Sequence, residues 1–216
     1  MKVCITINDV LRRHYQTFKE VYETYLEEEL SVEENPDLTF GELNEDGEVI
    51  EIEKVKIERK ILNLDGIVDP SYLTTNFEFE NAEEFNSFLY QQMAFEIFAK
   101  TNATYKTVFD DLHELIAFFT SKNMDVDIVS MEKSNSKPAT LFFLSREKCK
   151  PTSIKFVDSY AKIWNDYQIV ITAENYLIEN KRDRRKLFKI ETDTNRHLEQ
   201  GIACKNLKDV LNKFKK

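Results

Sequence analysis

The chain opens on Val3-Cys4-Ile5-Thr6-Ile7-Asn8-Asp9-Val10-Leu11, a short apolar run that two small polar residues interrupt. Side chains of a β-strand alternate between its two faces, so Thr6 and Asn8 share a face at the carboxyl end of the run. Ligands of open α/β sheets bind at the carboxyl ends of the strands. The stretch therefore predicts a buried strand whose polar end stands where such a sheet holds its ligand.

The second half of the chain alternates between strand and helix patterns. We predict strands over residues 125–130, 153–157, 167–172 and 187–192, with helices between them and a terminal amphipathic helix over 207–214. The run Thr140–Leu144 fits either a helix or a strand, because periodicity does not distinguish the two in so short a run. Strands that alternate with helices form parallel sheets through right-handed crossovers. The predicted fold is therefore α/β, with the first strand in the same parallel sheet.

Residues 13–104 are predicted to form an α+β insertion, and residues 1–12 and 105–216 the core. The insertion is expected to contain a helix from Val10 to Leu30 capped by Asp9, and a half-exposed strand over 48–58 that pairs with 38–43 or with another chain. A Phe-rich helix over 83–99, capped by Asn81, is apolar almost all round, which indicates either core or a subunit interface. Another helix is predicted over 105–122.

The composition narrows the function classes. Of 216 residues, 42% are hydrophobic, and a net charge of −9 disfavours a nucleic-acid-binding protein. Cys4, Cys149 and Cys204 are widely spaced, which favours a reducing compartment. No secretory signal and no apolar run of transmembrane length is present, so we expect synthesis in the cytoplasm and no membrane partner.

The chain resembles the haloacid dehalogenase (HAD) superfamily, in particular its deoxyribonucleotidase-type members. The resemblance lies in a single first strand, a large insertion after it and a later run of βα units. The first strand with Asn8-Asp9 lies where that family has its Asp-x-Asp strand end, and Ser130 lies where it has a phosphate-binding Ser or Thr. Thr172-Ala173 occupies the place of its magnesium-binding acidic pair, and Lys150 or Lys162 the region of its phosphate-binding lysine. The resemblance implies a Rossmann-like parallel sheet with an inserted α+β cap.

The chain departs from that family at the residues that carry its chemistry. Thr6 stands in place of the nucleophilic aspartate, Asn8 in place of the general acid/base, and Thr172 in place of a magnesium ligand. Phosphoryl transfer through an aspartyl phosphate needs those carboxylates. We therefore expect a degenerate site with no cofactor and no catalysis. The alternative is a Mg²⁺-dependent phosphatase or 5′-nucleotidase-like hydrolase that uses Asp9 and Glu174 through a changed register.

The sequence is also similar to small HAD-like proteins of crAss-like bacteriophages. The similarity rests on Phe143-Leu144-Ser145, Ile163-Trp164, residues 169–173 and Lys189-Ile190-Glu191-Thr192. It implies a virion component, such as a tail or connector ring subunit, made in the host cytoplasm. Its partners would be other virion or assembly proteins and further copies of this chain.

Concentrated positive charge occurs in the run Lys181-Arg182-Asp183-Arg184-Arg185-Lys186. Such a run is typical of a solvated loop, or of contact with nucleic acid, phosphate or an acidic partner. In an acidic protein we favour a neighbouring acidic subunit over nucleic acid, with the tract Glu27–Glu34 as the counterpart in an oligomer. The sequence thus predicts an inactive HAD-like assembly protein, with residues 181–186 as its contact site.

Overall fold

The structure is a computed structural model that describes residues 1–33, 77, 79 and 81–215. The strand over 48–58 and its predicted partner at 38–43 lie outside these residues. Among the helices that are described, none combines the length and the apolar character needed to cross a membrane.

Six parallel strands form one sheet in the order β3-β2-β1-β4-β5-β6. The strands are β1 (Lys2–Thr6), β2 (Asp125–Ser130), β3 (Ile154–Phe156), β4 (Ile169–Thr172), β5 (Lys186–Ile190) and β6 (Ile202–Cys204). The opening strand β1 is central, with Ile5 opposite Ile128 of β2 and Ile171 of β4. This arrangement confirms the predicted α/β fold with a Rossmann-like parallel sheet.

Helices cover both faces of the sheet. They are α1 (His14–Glu33), α2 (Ala82–Ser87), α3 (Val108–Ser121), α4 (Ser136–Arg146), α5 (Ile163–Asp166), α6 (Asn175–Glu179) and α7 (Leu207–Lys215), with a 3₁₀ turn at Tyr160–Lys162. Val3 and Ile5 face α3, α4 and α7 in one apolar core, whereas Cys4 points to the other face with Trp164 and Leu177. This alternation along β1 is the period of two that the sequence shows. The run Thr140–Leu144 is helical, which decides between the two alternatives left open by its sequence.

A second apolar cluster joins α1 to Phe77, Phe79 and residues 85–99. It is rich in aromatic rings, among them Phe18, Tyr22, Phe77, Phe85 and Phe88, and we call it the aromatic cluster. The Phe18 and Phe77 rings meet edge to face at 4.6 Å, a favourable geometry for aromatic pairs.

The predicted Phe-rich helix begins as expected but does not continue as one α-helix. The Asn81 side chain accepts hydrogen bonds from the backbone N–H groups of Glu83 and Glu84 and so caps α2. From Phe88 the chain is π-helical over Phe88–Gln92 and again over Phe95–Ala99, with a break at Met93. Three consecutive side chains are buried in each segment, Phe88 to Tyr90 in the first and Ile97 to Ala99 in the second.

Two other boundaries differ from the prediction. Helix α1 starts at His14 and not at Val10, because Asp9 adopts a left-handed conformation (φ 55°) in a tight turn. The Asp9 carboxylate still accepts a hydrogen bond from the Tyr15 N–H in the first turn of the helix. The last predicted strand ends at Ile190, and a further strand, β6, follows it. Strand β6 has three residues, of which only Cys204 is buried, so it carries no alternating pattern that predicts a strand.

Candidate functional site at the carboxyl edge of the sheet

The polar ends of β1, β2 and β4 meet at one edge of the sheet, as the parallel arrangement requires. Thr6 and Thr172 are fully buried, and the Thr6 Oγ1 donates a hydrogen bond to the Thr172 Oγ1 at 2.9 Å. The Thr172 hydroxyl also accepts a bond from the Glu174 N–H. Thr6 and Thr172 therefore tie β1 to β4.

Between the ends of β1 and β2 lies a buried ion pair. The Arg12 Nη2 is 2.6 Å from the Glu132 Oε1, and neither side chain has any exposed surface. The Glu132 carboxylate also accepts hydrogen bonds from the hydroxyls of Ser130, at 2.6 Å, and Thr140, at 2.5 Å. The carboxylate thus accepts from three donors, two at Oε1 and one at Oε2, all of them side chains of the protein itself.

The guanidinium of Arg12 also makes several hydrogen bonds to buried groups. Its Nε and Nη2 donate to the Asn8 Oδ1 at 2.9 and 2.6 Å, and its Nη1 donates to Thr140 and to the Phe98 carbonyl. The group also lies 4.6 Å from the centre of the Phe98 ring, a cation–π distance. The network joins the loops after β1 and β2 to α4 and to the second π-helical segment, and it fills the space between the two strand ends.

The two carboxylates of the alternative active site lie in different places. Glu174 is buried, accepts a hydrogen bond from the Tyr160 hydroxyl at 3.0 Å, and lines a cavity of about 10 Å³ together with Asn8, His14 and Phe98. That volume holds roughly one water molecule. Asp9 does not line this cavity; it lines a separate, open cleft together with Val10 and Arg13. The structure does not bring Asp9 and Glu174 into one site.

His14 contributes a titratable group to the small cavity. Burial, and then the positive charge of Arg12, hold the pKa of His14 well below its usual range. The imidazole ring lies 4.9 Å from the Phe98 ring. His14 is therefore neutral at neutral pH, and the Arg12–Glu132 pair is the ion pair beside it.

The open cleft has a volume of about 550 Å³ and lies beside the carboxyl end of β5. Charged side chains of both signs line it: Asp9, Arg13, Glu191, Asp193, Arg196 and Lys205. Arg196 pairs with Asp193, and the Arg13 guanidinium donates to the Thr104 carbonyl at 3.3 Å. The lining has no excess of either charge.

The basic run lies at the opposite edge of the sheet, where β5 begins. The Arg182 Nη1 donates to the Asn165 Oδ1, and the Arg185 Nη2 donates to the Asn165 carbonyl at 3.4 Å. Arg184 has a left-handed backbone (φ 64°), and the Lys186 ammonium lies 4.4 Å from the Phe214 ring centre. These contacts hold the backbone of the run, which we call the basic loop, while Arg182, Arg184 and Lys186 remain exposed.

The predicted phosphate-binding lysines do not join the candidate site. Lys150 precedes β3, at the amino edge of the sheet, and its N–H donates to His113 Nε2. Lys162 ends the 3₁₀ turn and is exposed. Neither lysine lines the small cavity or the cleft.

Sequence reasoning missed Arg12, Glu132 and Thr140, the residues that fill the centre of the site. A signal was present, since Arg12 and Glu132 each follow the polar end of a predicted buried strand by a few residues. Charged groups at that position are either ligand-binding or paired with each other. Ser130, which the sequence predicts at the same edge of the sheet, donates its hydroxyl to Glu132.

When the sequence is compared with models of protein families, no model matches, and the comparison with curated proteins likewise finds no match. Within the described part of the chain, no three His, Cys, Asp or Glu side chains lie close enough together to hold a metal ion.

Proposed function

We propose that this chain is a HAD-like protein without catalytic activity that works as a structural or assembly protein through protein–protein contacts. Its proposed setting is a bacteriophage particle, as a tail or connector ring subunit. The observation that carries the proposal is the fully buried Arg12–Glu132 pair between the ends of β1 and β2.

The ion pair supports this function for a physical reason. A substrate at the centre of the carboxyl edge needs a cavity and unsaturated polar groups that can bind it. Here Glu132, Asn8 and Thr140 bond to Arg12, and Thr6 bonds to Thr172. Opening the centre would expose or unpair two buried charges, which costs several kcal/mol.

The surface offers features suited to protein contacts. Phe95, Leu141 and Phe142 are 48%, 45% and 51% exposed, and the Phe95 and Phe142 ring centres are 5.5 Å apart. Adjacent exposed apolar side chains of this size are typical of interaction sites. The basic loop adds an exposed, positionally fixed group of cations.

The alternative function is Mg²⁺-dependent phosphate ester hydrolysis, for which the position of Asp9 in the open cleft is the favourable observation. An assay with p-nitrophenyl phosphate and Mg²⁺ separates the two functions. The assembly function predicts no turnover above that of a protein-free control. Turnover that Asp9→Asn abolishes and the cleft variant Asp193→Asn preserves would overturn the non-catalytic proposal.

The virion role is tested by quantitative mass spectrometry of purified phage particles that encode the chain. A structural subunit is expected at a constant copy number relative to other particle proteins through successive purification steps. Loss of the chain during purification, with particles that remain intact and infectious, would contradict that role.

A further inference from the structure

The acidic charge of this chain is concentrated in one stretch. Residues 27–53 contain twelve Asp and Glu residues and no Lys or Arg, a charge of −12. Because the whole chain carries −9, the remaining residues together carry +3. The chain therefore consists of a strongly acidic segment and a weakly basic remainder.

The basic loop is the clearest binding site for such a segment. Lys181, Arg182, Arg184, Arg185 and Lys186 supply five positive charges within six positions, against the single negative charge of Asp183. Within the residues that the structure describes, none of the five makes an ion pair with a carboxylate. Asn165 fixes Arg182 and Arg185 through neutral acceptors, so the loop keeps its charge and its position. Less conformational entropy is lost when a pre-positioned site binds its partner.

The flanks of the acidic stretch lie at the other end of the fold. Leu26 and Phe77 both pack in the aromatic cluster. That cluster adjoins the carboxyl edge of the sheet, where Phe98 contacts Arg12 and the Tyr90 carbonyl accepts from the Asn135 N–H. The basic loop precedes β5 at the amino edge, and the five residues of β5 separate the two edges by roughly 16 Å.

From this placement we propose that the basic loop of one copy binds the acidic stretch 27–53 of a second copy. The inference rests on the proposed assembly function and names its partner. Because the flanks of the acidic stretch and the basic loop lie at opposite ends of the fold, a contact between copies would run head to tail. Such contacts are heterologous, so repetition closes into a ring or continues as a filament.

The test uses the full-length chain and charge reversal in the basic loop. Lys181→Glu together with Arg184→Glu removes two cations that make no described side-chain contact and leaves Arg182 and Arg185 on Asn165. In sedimentation velocity runs across protein concentration, we expect the apparent dissociation constant to rise about tenfold or more. The neutral pair Lys181→Gln and Arg184→Gln should raise it less. Raising the salt from about 0.05 to 0.5 M should weaken the wild-type assembly, because exposed charges are screened.

The matched control reverses two other exposed lysines. Lys106→Glu with Lys150→Glu changes the net charge equally but away from the basic loop, and it should leave the dissociation constant within about twofold of wild type. Circular dichroism establishes that each variant is folded.

A mixing experiment identifies the partner. A second variant carries Glu27→Lys, Glu28→Lys and Glu29→Lys, which reverse the charge of the acidic stretch at these positions, and keeps the wild-type basic loop. In a head-to-tail contact each variant retains one functional half, so the 1:1 mixture should form a dimer that does not grow, while each variant alone stays monomeric.

Three results would overturn the inference. In the first, charge reversal in the basic loop and added salt leave the dissociation constant of the oligomer unchanged. In the second, the 1:1 mixture of the two variants remains monomeric. In the third, the wild-type protein is retained on DNA and charge reversal in the basic loop abolishes that retention. The first leaves the assembly function standing through another surface. Failure of the assembly function itself is seen separately, as absence of the chain from purified particles.

Discussion

The buried Arg12–Glu132 pair gives the sharpest test of the structure, through the substitution Glu132→Gln. Glutamine keeps the shape of the side chain but removes its charge, and its N–H group faces donors that previously bonded to a carboxylate. Arginine guanidinium groups keep their positive charge in proteins. The variant therefore leaves a positive charge buried among Asn8, Thr140 and Phe98 without its counter-ion.

Two estimates give the same order of magnitude for the stability that Glu132→Gln removes. Unit charges about 4 Å apart attract by about 4 kcal/mol at the effective dielectric that suits protein sites. Removing one partner of a buried pair costs about 3–5 kcal/mol in measured cases. Since domains are stable by only about 5–15 kcal/mol, Glu132→Gln should remove a large share of the free energy of unfolding.

Urea denaturation followed by far-ultraviolet circular dichroism measures this loss. The matched control is Glu23→Gln, which breaks the exposed Lys19–Glu23 pair and should cost about 0.5 kcal/mol or less. A double-mutant cycle with Arg12→Met completes the test, because removal of both charges should cost less than the sum of the single losses. A loss no greater than that of Glu23→Gln, or strict additivity in the cycle, would refute the reasoning.

Three further outcomes follow from local geometry. Because the fold depresses the pKa of His14, the unfolded chain takes up a proton at this residue as pH falls below about 6.5, whereas the folded protein does not. The free energy of unfolding, measured by urea titration, should therefore fall toward pH 5 with a slope approaching about 1.4 kcal/mol per pH unit. His14→Gln should reduce that slope. Gly201→Ala should destabilise by about 1–3 kcal/mol, since φ is 91° and a Cβ would lie 2.7 Å from the Leu187 side chain; an unchanged urea midpoint would contradict this. Asn81→Ala should cost about 1 kcal/mol through loss of the α2 cap, whereas Asn81→Asp should cost much less; equal urea midpoints for the two variants would speak against the cap.

Patterns local to the chain predicted much of the fold. The apolar runs at β2 and β4, the polar end of β1 and the cap at Asn81 depend on residues a few positions apart, and each is found where predicted. Buried parallel strands have a strong signal because both of their faces are apolar. The placement of Thr6, Ser130 and Thr172 at one edge then follows from the parallel order alone.

What the sequence did not predict depends on partners distant along the chain. Glu132 has its partners only because β2 lies beside β1, which brings it to Arg12, and because α4 brings Thr140 to the same point. The sequence allows Asp9 and Glu174 to share a site, but in the structure Asp9 forms a tight turn and the two carboxylates line different cavities. The π-helical segments likewise pack in the aromatic cluster against α1, a contact that the local pattern of residues 88–99 does not specify.

The central position of β1 has a consequence for how the chain folds during synthesis. Lys2 pairs with Asp125, and Val3 pairs with Ile169, so β1 is made well before both of its neighbours in the sheet. At ordinary ribosomal rates the wait for β2 is roughly 6 to 25 s. Until then the apolar residues Val3, Cys4 and Ile5 have no sheet to join. Folding of this protein is therefore of high contact order, and a nascent chain truncated before residue 130 should depend on chaperones to stay in solution.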